Sequence, residues 1–228
     1  MKQLVFRETG PLEYQLKESL NVLKTNLDFC GDDIKVVMIT SCGESEGKSS
    51  TAMNLARVEA EDGKRVLYLD MDMRKSSLAS WLKLRRGEKL EGLSHYLSGQ
   101  ASINDVIYYT NISNMFVLPA GPFPPNPPGL IGSDKFTKGI ELVRTNFDLV
   151  IIDSPPVGMV IDAAVASSAC DGAILLLESG YVSCKAAIEV KKQLEIAGCN
   201  ILGAVINKMP NSGNKYYKGY YKKYYGKE

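Results

Sequence analysis

Histidine is nearly missing from this chain, with His95 alone, and none of its five cysteines forms a C-x-x-C pair. That excludes a structural zinc site, which takes four Cys or His ligands in closely spaced pairs. Cys30, Cys42, Cys170, Cys184 and Cys199 are odd in number and far apart, so a disulfide framework is not expected and reduced, partly buried thiols are. Net charge is almost absent as well. Twenty-seven Lys and Arg against 26 Asp and Glu leave +1, which gives no global attraction to nucleic acid. Long apolar runs are lacking too: Asp153, Asp162 and Asp171 interrupt the best candidate, and spanning a bilayer takes ~18–20 residues. The start, MKQLVFRETG, has no signal-peptide core. The reading is a cytoplasmic protein that reaches a membrane only through a partner.

What is present is enough for one substantial α/β domain: 228 residues, 45% hydrophobic and 23% charged. Residues 1–11 read as a loose arm ending at Gly10-Pro11. Leu12, Leu16, Leu20, Leu23 and Leu27 then recur at helical spacing. Short apolar runs follow at 35–40, 65–69, 115–118, 147–152, 172–177 and 201–206, alternating with helical stretches at 50–61, 77–84, 133–144, 162–169 and 182–197. A weak helix is expected at 103–108. The proline-rich stretch 121–128 reads as a surface loop, neither helix nor central strand. Continuous apolar strands alternating with helices predict a mostly parallel sheet covered on both faces, with ligands beyond the carboxyl ends of the strands.

The stretch VVMITSCGESEGKSS, 36–50, organises the rest. An apolar strand runs into a small-residue loop, and Gly47-Lys48-Ser49 opens a helix. Backbone N–H groups and a helix N-terminus then face an anion, Lys48 reaches the β/γ-phosphates and Ser49 holds Mg²⁺. The candidate nucleotide-binding residues are Gly43, Glu44, Ser45, Glu46, Gly47, Lys48, Ser49 and Ser50. Cys42 stands where the motif has its first glycine, and its thiol is expected to be inert. Taken alone, such a loop is also compatible with an ordinary strand–turn–helix.

Three acids end neighbouring apolar runs. Asp153, after VII, suits a Walker B position that orients Mg²⁺ and its waters. Asp70 and Asp72 suit metal binding or removal of a proton from an attacking hydroxyl, and Arg74 suits charge balance or a phosphate contact. Any one of these aspartates also serves as a helix cap or turn residue; their convergence with a Lys and a Ser favours a nucleotide site. The last segment is odd in composition. Between Lys208 and Glu228 lie six Lys, one acid and three tyrosine pairs, Tyr216-Tyr217, Tyr220-Tyr221 and Tyr224-Tyr225. With no aliphatic residue to bury it is expected to be disordered in isolation. It reads as a polar tail, as an RNA-stacking segment, or as a tethered set of phosphoryl acceptors; the acid-rich nucleotide site favours the last.

Together TSCGESEGKSS (40–50), VLYLDMDMRKS (66–76), AGPFPPNP (120–127), DLVIIDSPPVGMVIDA (148–163), ILGAVINK (201–208) and the tyrosine cluster resemble the bacterial tyrosine kinases of capsule and exopolysaccharide synthesis, in their cytoplasmic-subunit form. The resemblance implies a P-loop NTPase-like fold over 31–208, preceded by an arm and helix at 1–30 and followed by a tyrosine tail at 209–228. It implies ATP and Mg²⁺ as cofactors and phosphate transfer to the tail tyrosines. Lys48, Asp70, Asp72 and Asp153 would be catalytic, Ser49, Asp70 and Asp153 metal-binding, and Asn207 would read adenine. It further implies a membrane activator of the polysaccharide co-polymerase type, a homo-oligomer, and no nucleic-acid partner.

Three departures stand out. Glu44-Ser45 replaces the Pro-Gly usual in the family, which Ser45 tolerates if its φ is negative. Glu18, Asn21 and Lys24 occupy the E-x-x-R-x-x-R positions of a subunit contact, and Asn cannot form a bidentate pair with a carboxylate. Gly129 stands where an acid is usual. The alternatives are an ATP-gated, non-catalytic scaffold and an ATPase switch of the cell-division or partition type. The switch class carries a second lysine five residues before the P-loop lysine, where this chain has Gly43.

Overall fold

The computed structural model describes residues 2–84 and 90–210. In chain order these form β1 (Gln3–Leu4), α1 (Tyr14–Asp28), β2 (Val36–Ser41), α2 (Lys48–Glu61), β3 (Val66–Asp70), α3 (Leu78–Trp81) and α4 (Leu93–Leu97). A 3₁₀ turn (Ile103–Asp105) precedes β4 (Tyr108–Thr110), β5 (Met115–Leu118), α5 (Pro127–Ile131), α6 (Asp134–Asn146) and β6 (Leu149–Asp153). The chain continues through α7 (Asp162–Ala166), β7 (Gly172–Glu178), α8 (Cys184–Ile196) and β8 (Ile201–Asn207). The eight strands form one sheet in the order β1-β4-β5-β3-β6-β2-β7-β8. All pairings are parallel except β4 with β5.

The central strands are apolar throughout because both faces are covered. Val36 and Met38 of β2 pack with Phe136 and Ile140 of α6 and Leu194 of α8 on one face. Val37 and Ile39 pack with Leu20 and Leu27 of α1 and Leu55 of α2 on the other. This alternation buries every residue of β2, β3 and β6 and brings their carboxyl ends side by side.

Three local expectations are corrected. The N-terminal arm is not loose: β1 pairs with β4, Phe6 bridges to Leu82, and Leu4 and Phe6 are each 4% exposed. The weak helix at 103–108 is one 3₁₀ turn followed by a strand, since Tyr108 and Thr110 bury into the sheet beside β5 and β1. The proline-rich stretch does enter a helix, because Pro127 and Pro128 sit in its first turn, where no N–H is required. Asn126 caps that helix by accepting from Gly129 N at 3.2 Å.

Candidate active site

The phosphate loop connects β2 to α2 and is braced from within. Gly47, at φ +98°, is the residue that lets the chain turn into α2, and a Cβ there would meet Asn207 Nδ2 at 2.2 Å. Asn207 Nδ2 donates to Glu46 O at 2.9 Å, and Lys208 Nζ donates to Ser45 O at 2.6 Å while pairing with Glu178 at 2.8 Å. The Glu46 side chain is fully buried and turned away from the loop's mouth. Its two oxygens accept from Gly43 N and, at 3.2 Å, from Glu178 N. Glu46 therefore offers a ligand only its backbone. The first N–H groups of α2 have no acceptor within the helix, which is the anion-binding arrangement of a P-loop.

Ser45 has φ +60°, so the condition for its easy tolerance, a negative φ, is not met. The loop turns left-handed at this position, which explains the family's usual glycine and means that Ser45 is strained. Cys42 matches the inert reading: burial first, then the charge of Glu46, pushes its thiol up to about 11.

β3 and β6 bring the acids beside the loop. Asp70 and Asp153 are direct partners in the parallel register, 1% and 2% exposed. Tyr68 OH donates to Asp153 Oδ2 at 2.8 Å. Asp153 Oδ1 is buried without a well-formed hydrogen bond among the described residues, and the Ser49 hydroxyl is close enough to the Asp153 carboxyl to act on it. Asp70 accepts from Ser76 Oγ and, at 3.1 Å, from Asp72 N. The Asp72 carboxylate is fixed at Oδ1 by the N–H groups of Arg74 (3.1 Å) and Lys75 (2.9 Å).

Burial dominates the electrostatics. It raises Asp153 to about 6, against the Ser49 and Tyr68 hydrogen bonds and the Lys48 charge that hold it down. Burial, followed by the Asp153 charge, pushes Asp70 well above the carboxylate range. Burial lowers Lys48, while Asp153, Asp72, Glu46 and Glu44 act to raise it. With four carboxylates acting on one ammonium, a polyphosphate fits here only with a divalent cation to balance the charge.

The residues present fit such a cation. No three His, Cys, Asp or Glu side chains form a metal cluster among the described residues. Mg²⁺ in phosphoryl-transfer sites needs none, being held by one or two carboxylates with phosphate oxygens and water. The unsatisfied Asp153 Oδ1, on a carboxyl that the Ser49 hydroxyl also approaches, supplies that kind of position.

The structure thus brings Lys48, Ser49, Asp70, Asp72, Asp153 and Asn207 to one edge of the sheet. Glu18, Asn21 and Lys24 lie apart, on α1: Lys24 is bonded to Asp62, and Asn21 Nδ2 lies 3.4 Å from Glu18. Tyr216, Tyr217, Tyr220, Tyr221, Tyr224 and Tyr225 lie outside the described residues. Arg74 does not reach toward the phosphate loop; it forks onto Asp162 at 2.9 and 3.2 Å. Lys75 Nζ pairs with Glu44 across the mouth of the site at 2.6 Å. Tyr68, Ser76, Asp162 and Glu178 were not singled out from the sequence as parts of the site. Tyr68 left one signal, a polar tip in an apolar strand two residues before Asp70.

Comparison with known proteins agrees with this geometry. The AAA domain family model AAA_31 matches residues 34–197. Tyrosine-protein kinase CpsD of Streptococcus pneumoniae is 41% identical over 200 residues, covering 88% of this chain and 87% of that protein. The chimerical protein CapA2B2 superposes with a TM-score of 0.79 at 32% identity, over 90% of this chain and 88% of its own. The kinase domain of the Escherichia coli tyrosine kinase ETK gives 0.78 at 31% identity, over 86% and 78%. Identity of this level over most of both chains places the protein in the bacterial tyrosine-protein kinase family.

Proposed function

We propose that the chain transfers the γ-phosphoryl group of ATP to the tyrosines of its own tail. The observation that supports this most is the convergence of Lys48, Ser49, Asp70, Asp72 and Asp153 beside the end of β8, the strand from which the tail departs. Asn207, the last residue of β8, is bonded to the phosphate loop. Tyr216 is nine residues further on, a span of at most about 30 Å at full extension.

In this reading the loop N–H groups and Lys48 hold the β- and γ-phosphate oxygens. Ser49 and Asp153 would hold Mg²⁺, with Asp70 as the neighbouring carboxylate; when bound, the ion neutralises charge developing on the phosphates. Asp72, oriented by two backbone N–H groups, accepts the proton of the attacking phenol. The new bond joins Tyr Oη to the γ-phosphorus, the bond to the β–γ bridging oxygen breaks, and ADP leaves. Asn207 reads the adenine. The Glu18, Asn21 and Lys24 face of α1 is the proposed subunit contact.

The regulated process is capsular or exopolysaccharide synthesis and export, which rests on the family resemblance, as does a membrane activator of the co-polymerase type. No helix among the described residues is long and apolar enough to cross a membrane. Charge supports the regulatory role, because each phosphate adds about −1.5 to −2 to a cationic tail.

The test is intact mass after incubation with Mg-ATP, with and without the cytoplasmic peptide of the activator. The expected result is steps of roughly 80 Da per phosphate, confined to the 216–225 peptide and abolished by Lys48→Met. Hydrolysis of ATP without modified tyrosine would support the switch or the scaffold instead.

A further inference from the structure

Asp162 is 1% exposed and opens α7, where an acid ordinarily caps the helix. Its side chain makes no such cap. Both of its oxygens are taken by Arg74, through Nε at 2.9 Å and an NH2 contact at 3.2 Å, a planar fork joining residues 88 apart in sequence. Arg74 lies in the loop that carries Asp72, between β3 and α3. On the other side of that loop, Met71 N donates to Asp153 O at 2.8 Å. Met71 and Met73, which flank Asp72, are buried in the same core cluster as Ala163 of α7. Arg74 N is one of the two groups that fix the Asp72 carboxylate.

We propose that Asp162 and Arg74 are positioning residues, a clamp that ties the Asp72 loop to α7 and holds Asp72 at its working place in phosphoryl transfer. This rests on the proposed role of Asp72 and assigns a further pair to it. Leaving a carboxylate this deeply buried without a partner is strongly destabilising, so the fork is persistent. The phosphate loop and Lys48 have no hydrogen bond to either residue among the described residues, so the clamp governs the acid's position and leaves nucleotide binding intact. Misplacing a reacting group by ~1 Å costs about a hundredfold in rate.

The test uses the full-length chain with Asp162→Asn, which keeps the shape and removes the charge, and with Arg74→Lys and the double variant Asp162→Asn/Arg74→Gln. Three quantities are read: amide exchange at residues 71–76 against 66–70, Mg-ADP affinity by calorimetry, and the rate of phosphotyrosine formation. The clamp predicts faster exchange confined to 71–76, affinity within about threefold of wild type, and a rate about 10- to 100-fold lower in Asp162→Asn. Arg74→Lys falls between, and the double variant is no slower than Asp162→Asn. Unchanged exchange at 71–76 overturns the proposal. So does a uniform rise that includes 66–70, or a loss of Mg-ADP affinity as large as the loss of rate, since either marks a merely structural role. If wild type forms no phosphotyrosine, the transfer reading fails, while exchange and affinity still decide whether the clamp exists.

Discussion

Replacing Asp153 by Asn should make the protein more stable while disabling it. Burial raises Asp153 from 3.8 to about 6, so in metal- and nucleotide-free buffer the folded state holds this proton more tightly than the unfolded chain. A raised carboxyl pKa means that the stability is fully present below the unfolded value and is lost as pH rises from about 4 to about 6. Roughly two units at ~1.4 kcal/mol each give about 3 kcal/mol of destabilisation at pH 8. Asn mimics the protonated acid and still offers an oxygen to Tyr68 OH, whose bond to Asp153 is 2.8 Å. Urea unfolding at pH 8 should therefore show Asp153→Asn more stable by about 3 kcal/mol, and the gain should fade below pH ~4. Adding Mg-ADP should stabilise wild type far more than the variant. An Asn variant less stable than wild type at pH 8, or a difference independent of pH, would refute the reasoning.

Other perturbations follow from the same geometry. Ser45→Gly removes a φ of +60° and should raise stability by about 0.5–1 kcal/mol in denaturant melts, leaving phosphoryl transfer intact. Gly47→Ala adds a Cβ 2.2 Å from Asn207 Nδ2 at φ +98°, and should cost about 2–3 kcal/mol and abolish Mg-ADP binding by calorimetry. Burial pushes Asp171 up, but the Arg144 hydrogen bond and the N–H groups of Val36 and Lys35 outweigh it and hold the carboxyl below its usual range. Its contribution is present above the unfolded value near 3.9 and is lost as pH falls through the folded one. Asp171→Asn should then cost about 2 kcal/mol at pH 7, after allowing for partial solvent exposure, and progressively less in melts below pH ~4.

Much of this was legible because the central strands are continuous apolar runs that end in their functional residues. Asp70 and Asp153 could be placed at strand ends from sequence; that they are direct partners depends on the register of β3 against β6, which no local pattern encodes. The Tyr68–Asp153 bond follows from that register and was equally hidden. Asp162 looked like a helix start because its partner is Arg74, 88 residues away in sequence, in the loop after the adjacent strand β3. The strands β1 and β4 were missed for a related reason: at two and three residues they are too short for a period, and their pairing is non-local. The positive φ at Ser45 belongs to a loop whose Ser45 carbonyl accepts from Lys208, just past β8, a non-local contact that the residue type does not encode.

The central claim is that this site moves phosphate to tyrosine and does not merely hydrolyse ATP. One measurement addresses it directly: with γ-labelled ATP and Mg²⁺, phosphotyrosine and free phosphate are quantified in the same reaction. The account predicts that most of the label consumed is found on the 216–225 peptide, and that Lys48→Met and a variant with all six tail tyrosines changed to Phe leave that peptide unlabelled. Stoichiometric release of free phosphate with an unlabelled tail in the wild-type chain would contradict it.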